Sequence, residues 1–164
     1  MRIHKLSYLL ILGLILIFSG CGKDEPSADG GITTPETIDW CSVHWPPSTT
    51  TNAGVNDNFY VRVKEAGLTG TTYDGSTGEI QVYFGVSTTD TDPASWASGQ
   101  WVLMDLNSGY AVEDNDNEFY KTTSRPAAGT YYYAAKARLE GGAFTYCGTG
   151  GVWSDNNAIW TVNP

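Results

Sequence analysis

The chain has 164 residues, of which 18 are acidic and 9 are Lys or Arg, so its formal net charge is −9. This length allows one domain, and 41% hydrophobic residues are enough to form a core. The acidic balance argues against nucleic acids and anionic membrane surfaces as partners, because both require basic patches, so we expect no nucleic-acid partner. The abundance of Gly, Tyr and Trp favours strands and turns over helices.

The first twenty residues have the pattern of a secretion signal. Two basic residues precede an apolar run from Leu9 to Phe18, which is too short to span a bilayer. The following Ser19-Gly20-Cys21 resembles the lipobox of bacterial lipoproteins, in which the cysteine is acylated and the chain is cleaved before it. We therefore expect a signal peptide over residues 1–20 and a lipid on Cys21. The alternative is an ordinary secretory signal.

The residues after Cys21 carry a second signal. Lys23-Asp24-Glu25 resembles the motif that sends lipoproteins of Bacteroidota to the outer face of the outer membrane. This resemblance implies an outer-membrane protein that faces the cell exterior and contacts the membrane through its lipid anchor only. Residues 21–37 consist mainly of Gly, Pro, Ser, Thr and charged residues, so we expect a flexible linker there. The folded domain is predicted over residues 38–164.

Period-two alternation of apolar residues dominates the chain after residue 38. Segments with this pattern are separated by Gly-, Asp- and Ser-rich turns, which predicts seven or eight strands in an immunoglobulin-like antiparallel β-sandwich. One helical turn is predicted over Asp92–Trp96, with Asp92 as its cap and Pro93 in its first position. The alternation assigns these aromatic residues to the core: Trp45, Phe59, Phe84, Tyr131 and Tyr133.

Two cysteines remain in the predicted domain once Cys21 is acylated. Cys41 lies in the first predicted strand and Cys147 in the penultimate one. The cell envelope permits oxidation, so we expect a disulfide between them. The alternative is that one or both are small buried thiols.

The residue types needed for catalysis are scarce. After the predicted signal peptide the chain has one histidine, His44, and contains neither G-x-S-x-G nor H-E-x-x-H. We therefore predict a protein that is not an enzyme and that holds no resident cofactor. One acidic run offers candidate calcium ligands in Asp114, Asp116 and Glu118, although a solvated loop is favoured for it.

Aromatic residues outside the predicted core are the candidates for ligand binding. Flat aromatic rings stack on the apolar faces of sugar rings, and turn-rich segments leave several rings without a defined core face. Tyr73 and Tyr120 are weaker candidates of this type. The alternative for Trp96 and Trp153 is that they close the ends of the sandwich. The candidate glycan-binding residues are Trp96, Trp153, Tyr110 and Trp101.

Several segments resemble a known class of domain. Their order is similar to that in immunoglobulin-like or fibronectin-like accessory domains of exported bacterial enzymes and surface proteins. The segments are Thr89–Trp96, Trp101-Val102, Asn115–Phe119, Pro126–Tyr133, Gly141–Cys147 and Gly150–Trp153. Pro126–Tyr133 also resembles the start of a strand in starch-binding-type modules. The resemblance implies no catalytic residues.

Two functional hypotheses follow from the sequence. The first is a surface protein that binds glycan beside an outer-membrane glycan-uptake system. Neutral glycans are favoured, because a strongly acidic chain repels uronate or sulfate. The alternative is a structural or adhesive immunoglobulin-like module that mediates protein–protein contacts.

Overall fold

The described part of the chain is built mainly from β-strands, as the sequence predicts. The computed structural model describes residues 37–70, 79–111 and 115–164. The expected signal peptide, Cys21, residues 21–36 of the expected linker, Tyr73 and Asp114 lie outside these ranges. Within them, the helical segments Pro93–Ser95 and Ser98–Gln100 are single turns, and no helix is long and apolar enough to cross a membrane.

Eleven strands lie in the described ranges. In chain order they are β1 (Trp40–Trp45), β2 (Thr49–Asn52), β3 (Asn56–Lys64), β4 (Ile80–Ser87), β5 (Trp101–Leu103), β6 (Asp105–Leu106), β7 (Asn117–Ser124), β8 (Gly129–Leu139), β9 (Thr145–Gly148), β10 (Gly151–Val152) and β11 (Ala158–Asn163).

The strands form two sheets. The first has the order β1-β3-β7-β6. In the second sheet, β4 pairs with one side of β8, and β5 pairs with the other side of β4. The opposite side of β8 pairs with β11 along its first half and with β9 along its second half. β10 pairs with β9, and β2 pairs with β11. This is the strand order of an immunoglobulin-like sandwich whose last strand is divided into β9 and β11.

The structure differs from the prediction in several features. Seven or eight strands were expected, whereas the described ranges contain eleven, several of them only two to four residues long. β2 runs parallel to β11, so the second sheet is mixed and not purely antiparallel. β2 was not expected, because Thr49–Asn52 contains no apolar residue and therefore no alternation. The chain also changes sheets at the buried Met104, since β5 before it belongs to the second sheet and β6 after it to the first.

The core is centred on Phe59 of β3. Its ring centroid lies 4.5 Å from that of Phe84, 4.9 Å from that of Tyr133 and 5.0 Å from that of Trp160. Phe59 belongs to the first sheet and its three partners to the second. The predicted core positions of Phe59, Phe84 and Tyr133 are confirmed, and these rings supply much of the apolar burial that holds the sheets together.

The start of β8 has the tyrosine corner typical of this fold. The Tyr131 hydroxyl donates a hydrogen bond to the Ala127 carbonyl at 2.9 Å, and its ring packs against the core. Two residues later, Tyr133 occupies the position that a disulfide cysteine has in antibody domains. The buried Tyr133 hydroxyl donates to the Pro46 carbonyl at 2.6 Å. Burial raises the pKa of this hydroxyl well above its ordinary value.

Cys41 of β1 and Cys147 of β9 form the predicted disulfide. Both residues are fully buried, and their Cα atoms are 5.2 Å apart. The bond joins the edge strand of the first sheet to the second sheet and links positions separated by 106 residues. It therefore restrains a large part of the unfolded chain.

Replacement of both Cys41 and Cys147 with Ala should lower the free energy of unfolding by about 4–5 kcal/mol. A crosslink that closes a loop of about 100 residues removes roughly this much chain entropy from the unfolded state. Urea denaturation of the oxidised protein, the reduced protein and the double variant measures the effect. The reduced protein and the double variant should agree closely, and equal stability of the oxidised and reduced forms would contradict the prediction.

Arg125 joins three segments at one end of the sandwich. Its Nε and Nη2 atoms donate to the two carboxylate oxygens of Asp57 in β3 at 2.7 and 2.8 Å. Its Nη1 donates to the carbonyl of Asn52, the last residue of β2. The hydrogen bond from Arg125 holds the pKa of the Asp57 carboxyl below its ordinary value, although partial burial opposes this shift.

Substitution of Asp57 with Asn should destabilise the protein by about 1–3 kcal/mol at neutral pH, since charge-assisted hydrogen bonds contribute this much. Because the pKa of Asp57 is lower in the folded state, its contribution is present above the unfolded pKa of about 3.9 and is lost as the pH falls through the folded value. The difference between wild type and variant should therefore shrink in acid. Urea midpoints measured against pH test this prediction.

Asp105→Asn is the matched control for this pH series. Asp105 also pairs with a cation, Lys121, but its side chain is 65% exposed, so its removal should change stability by less than about 1 kcal/mol. Equal effects of the two substitutions at neutral pH would contradict the role assigned to Asp57.

Candidate functional site

Trp45 lies on the surface, so its predicted core position is wrong. The register between β1 and β3 shifts by one residue between Val43 and Trp45, which is a β-bulge. A shift of one residue moves the following side chain to the opposite face of the sheet. Trp45 consequently lies on the outer face of the first sheet, with 60% of its surface exposed.

Trp45 belongs to a row of three aromatic residues. It lies opposite Tyr60 of β3, and Tyr60 lies opposite Tyr120 of β7. Residues directly opposite one another share a face, so we call Trp45, Tyr60 and Tyr120 the aromatic row. The rings of Tyr60 and Tyr120 are 6.4 Å apart and inclined by 29°. Because adjacent strands are about 4.8 Å apart, the row extends about 10 Å across the strands.

A shallow cleft borders the Trp45 end of the row. Its volume is about 430 Å³, and its walls combine two aromatic rings with amide, hydroxyl and carboxylate groups. Such side chains donate and accept hydrogen bonds with hydroxyl-rich ligands. The cleft is lined by Trp45, Pro46, Ser48, Thr49, Asn56, Asp57, Asn58 and Tyr60.

The core and its neighbours hold this surface in place. The Pro46 carbonyl, next to Trp45, accepts the hydrogen bond from the buried Tyr133 hydroxyl. Asp57 in the cleft wall is held by Arg125, and the Thr122 hydroxyl donates to the Asn58 side chain at 2.6 Å. A ligand would therefore meet positions that are already fixed, which reduces the entropy lost on binding.

Trp96, a predicted glycan-binding residue, is buried with 8% of its surface exposed. It follows the predicted helical turn, which is confirmed: the Asp92 carboxylate accepts from the Ala94 N–H at 2.8 Å, and the turn covers Pro93–Ser95. The Trp96 indole donates to the Thr91 hydroxyl, and its ring lies 5.3 Å from Trp101. This burial leaves its ring little surface on which a sugar could stack.

Trp101 is half-buried on the outer face of the second sheet. It lies opposite Gly85 of β4, and a Cβ atom added to that glycine would come within 2.6 Å of the indole. The absence of a side chain at Gly85 therefore allows the ring to lie flat against the sheet. The Lys136 ammonium lies 4.3 Å from the ring centroid.

Trp153 is half-buried between β10 and β11. Its indole donates to the Asn157 side chain at 3.1 Å, and its backbone N–H donates to the Tyr146 carbonyl. Asn157 in turn donates to the Thr91 carbonyl and the Asp90 carboxylate. Trp153 thus connects two surface segments, and the structure does not bring it into the aromatic row.

The acidic segment that leads into β7 is partly buried, so its expected description as a solvated loop is wrong for Asp116, just before the strand, and for Glu118, inside it. Asp116 accepts from the Tyr110 hydroxyl at 2.8 Å and pairs with Arg62, which also lies 4.9 Å from the Tyr110 ring centroid. Glu118 pairs with the same Arg62. Among the described residues no group of three His, Cys, Asp or Glu is arranged to hold a metal, and Asp114 lies outside them.

Comparisons with known proteins assign no family to the chain. No protein-family model matches the sequence, and a search of curated proteins gives no match. Function is therefore inferred from the surfaces of the described domain.

Truncation of Trp96 and of Trp45 to Ala should affect stability very differently. Trp96→Ala leaves a cavity beside Trp101 and should cost about 3 kcal/mol. Trp45→Ala removes an exposed ring and should cost less than about 1 kcal/mol. Thermal and urea denaturation of both variants measure the difference. A larger loss for Trp45→Ala than for Trp96→Ala would contradict the burial described above.

Proposed function

We propose that this protein is a non-catalytic surface lipoprotein that binds neutral oligo- or polysaccharide on the aromatic row. The single observation that carries the proposal is the exposed indole of Trp45, aligned with Tyr60 and Tyr120 beside a polar cleft. Exposed apolar surface of this kind commonly marks an interaction site.

The chemistry of the row suits a pyranose chain. The C–H groups on one face of a sugar ring pack on an aromatic ring, while its hydroxyls need hydrogen-bond partners at the edge. The row supplies the rings, and Asn56, Asn58 and Ser48 in the cleft supply amides and a hydroxyl. Three rings across three strands offer contacts to more than one sugar unit.

The electrostatics of the cleft favour neutral sugars. Its lining contains no Lys or Arg, and its one carboxylate, Asp57, is paired with Arg125. An acidic sugar would find no cation among the described lining residues to offset the net charge of −9. A neutral sugar carries no such electrostatic cost.

The cellular setting of the proposal comes from the sequence. The lipobox-like segment at Cys21 and the following Lys23-Asp24-Glu25 support a lipid-anchored protein on the outer face of the outer membrane. A glycan-binding domain in that place suits capture of polysaccharide beside an outer-membrane uptake system. The alternative is an adhesive module for protein–protein contacts. The glycan-binding experiment that follows distinguishes the two functions.

Affinity electrophoresis of the full-length protein through gels that contain neutral polysaccharides tests the proposal. At least one neutral polysaccharide should retard the wild type, and Trp45→Ala should weaken this binding about tenfold or more, because it removes the most exposed stacking surface. Tyr60→Ala and Tyr120→Ala should weaken it less, since both rings are half-buried.

Tyr132→Ala provides the matched control. Tyr132 pairs with Ile159 and Ser87 in the second sheet, so its loss should leave neutral-glycan binding unchanged. Retardation by none of the neutral polysaccharides, or equal retardation of wild type and Trp45→Ala, would overturn the proposal.

A further inference from the structure

The outer face of the second sheet carries a second, different cluster. The Lys136 ammonium lies 4.3 Å from the ring centroid of Trp101 and 4.2 Å from that of Phe144. Tyr83 and Tyr146 lie opposite Lys136 on the two neighbouring strands. We call this set, together with Arg138, the cationic face: Tyr83, Trp101, Lys136, Arg138, Phe144 and Tyr146.

The cationic face brings two positive charges close together. The Arg138 guanidinium lies 4.6 Å from the centroid of Phe144, the same ring that Lys136 contacts. The two cations are therefore less than about 10 Å apart, which is the Debye length at 0.1 M salt. Burial lowers the pKa of Lys136, and the neighbouring Arg138 lowers it further.

The described residues place no carboxylate within ion-pairing distance of Lys136 or Arg138. The Arg138 Nε atom donates instead to the neutral side chain of Gln81 at 2.8 Å. By contrast, Lys121 and Arg125 each pair with a carboxylate. In a chain with twice as many acidic as basic residues, two adjacent cations without such a partner indicate a surface suited to an external anion.

We propose that the cationic face binds an anionic polysaccharide, whose carboxylate-bearing pyranose rings pack against the aromatic side chains while their acidic groups pair with Lys136 and Arg138. A uronate ring presents a C–H face and a carboxylate in one unit, which suits a surface where two cations lie within 5 Å of aromatic rings. This site is separate from the aromatic row, which lies on the other sheet.

The geometry favours a polysaccharide over an acidic peptide. Extended peptides usually bind a sheet by adding a strand to its edge, where backbone groups are free. On the cationic face the backbone groups of β4 and β8 already pair with each other. A peptide there would depend on side-chain contacts alone, whereas a sugar chain needs only rings and charged groups.

The net charge of the protein does not prevent this binding. At physiological salt the Debye length is about 8 Å, so charges elsewhere on the molecule are largely screened. A carboxylate in contact with Lys136 and Arg138 is much less screened. Binding should therefore weaken as the salt concentration rises but persist at physiological salt.

Binding of the full-length protein to polygalacturonate and to alginate, measured by affinity electrophoresis and titration calorimetry, tests the proposal. At least one of the two should bind, and its methyl-esterified form, which lacks the charge but keeps the backbone, should bind about tenfold more weakly or worse. The double substitution Lys136→Gln and Arg138→Gln should cause a similar loss, and Trp45→Ala should cause none.

Lys121→Gln is the control for Arg138→Gln alone, because each removes one positive charge and Lys121 lies in the first sheet. Circular dichroism and thermal denaturation establish that each variant is folded, and Arg138→Gln alone replaces the double variant if that variant is unfolded. The proposal would be overturned if neither polyanion binds, if the Lys136 and Arg138 substitutions leave binding unchanged, or if Lys121→Gln weakens it equally. Polyglutamate should not displace the bound polysaccharide at equal charge concentration. If it does, the face binds an acidic protein instead, and the polysaccharide proposal is overturned.

Discussion

The passage of the N-terminal strand from one sheet to the other determines where the aromatic row lies. β1 pairs with β3 in the first sheet, and β2 pairs with β11 in the second, so the chain must change sheets between Trp45 and Thr49. The change begins at the bulge before Trp45. The hydrogen bond from the Tyr133 hydroxyl to the Pro46 carbonyl then holds the connecting segment between β1 and β2 in place. An indole that could have contributed about 2–3 kcal/mol if buried is left exposed. The same change of sheet therefore exposes Trp45, the most accessible aromatic side chain among the described residues.

The core could be predicted from the sequence because it follows local alternation. Phe59 and Phe84 lie in long strands where every second residue is apolar, and the phase is unambiguous over several residues. The Cys41–Cys147 disulfide was predictable from strand placement and the expected compartment. Alternation also puts Tyr60 on the outer side of β3, opposite in phase to Phe59. The assignment of these residues to the inner or outer side of their strands thus needed no knowledge of distant contacts.

The site was less predictable because it depends on contacts between distant segments. A bulge changes the phase of Trp45, and nothing within β1 signals it, since it arises where the chain leaves the sheet. Tyr60 and Tyr120 become neighbours only because β3 pairs with β7, which is far along the chain. Burial of Asp116 depends likewise on Arg62 of another strand, so an acidic run that is typical of a solvated loop lies partly inside the protein.

Net charge and local charge favour different ligands for the two proposed binding faces. The value of −9 averages over the whole chain and disfavours acidic ligands in general. Screening restricts each charge to its surroundings, so the ligand preference of a face depends on the side chains within about 10 Å. Near Trp45 the described charges are paired, whereas Lys136 and Arg138 share one phenyl ring. Gly85 contributes to this arrangement, because any side chain there would displace Trp101 from its place beside Lys136. A ligand preference that is inferred from the net charge can therefore hold for one face of a small domain and fail for the opposite face.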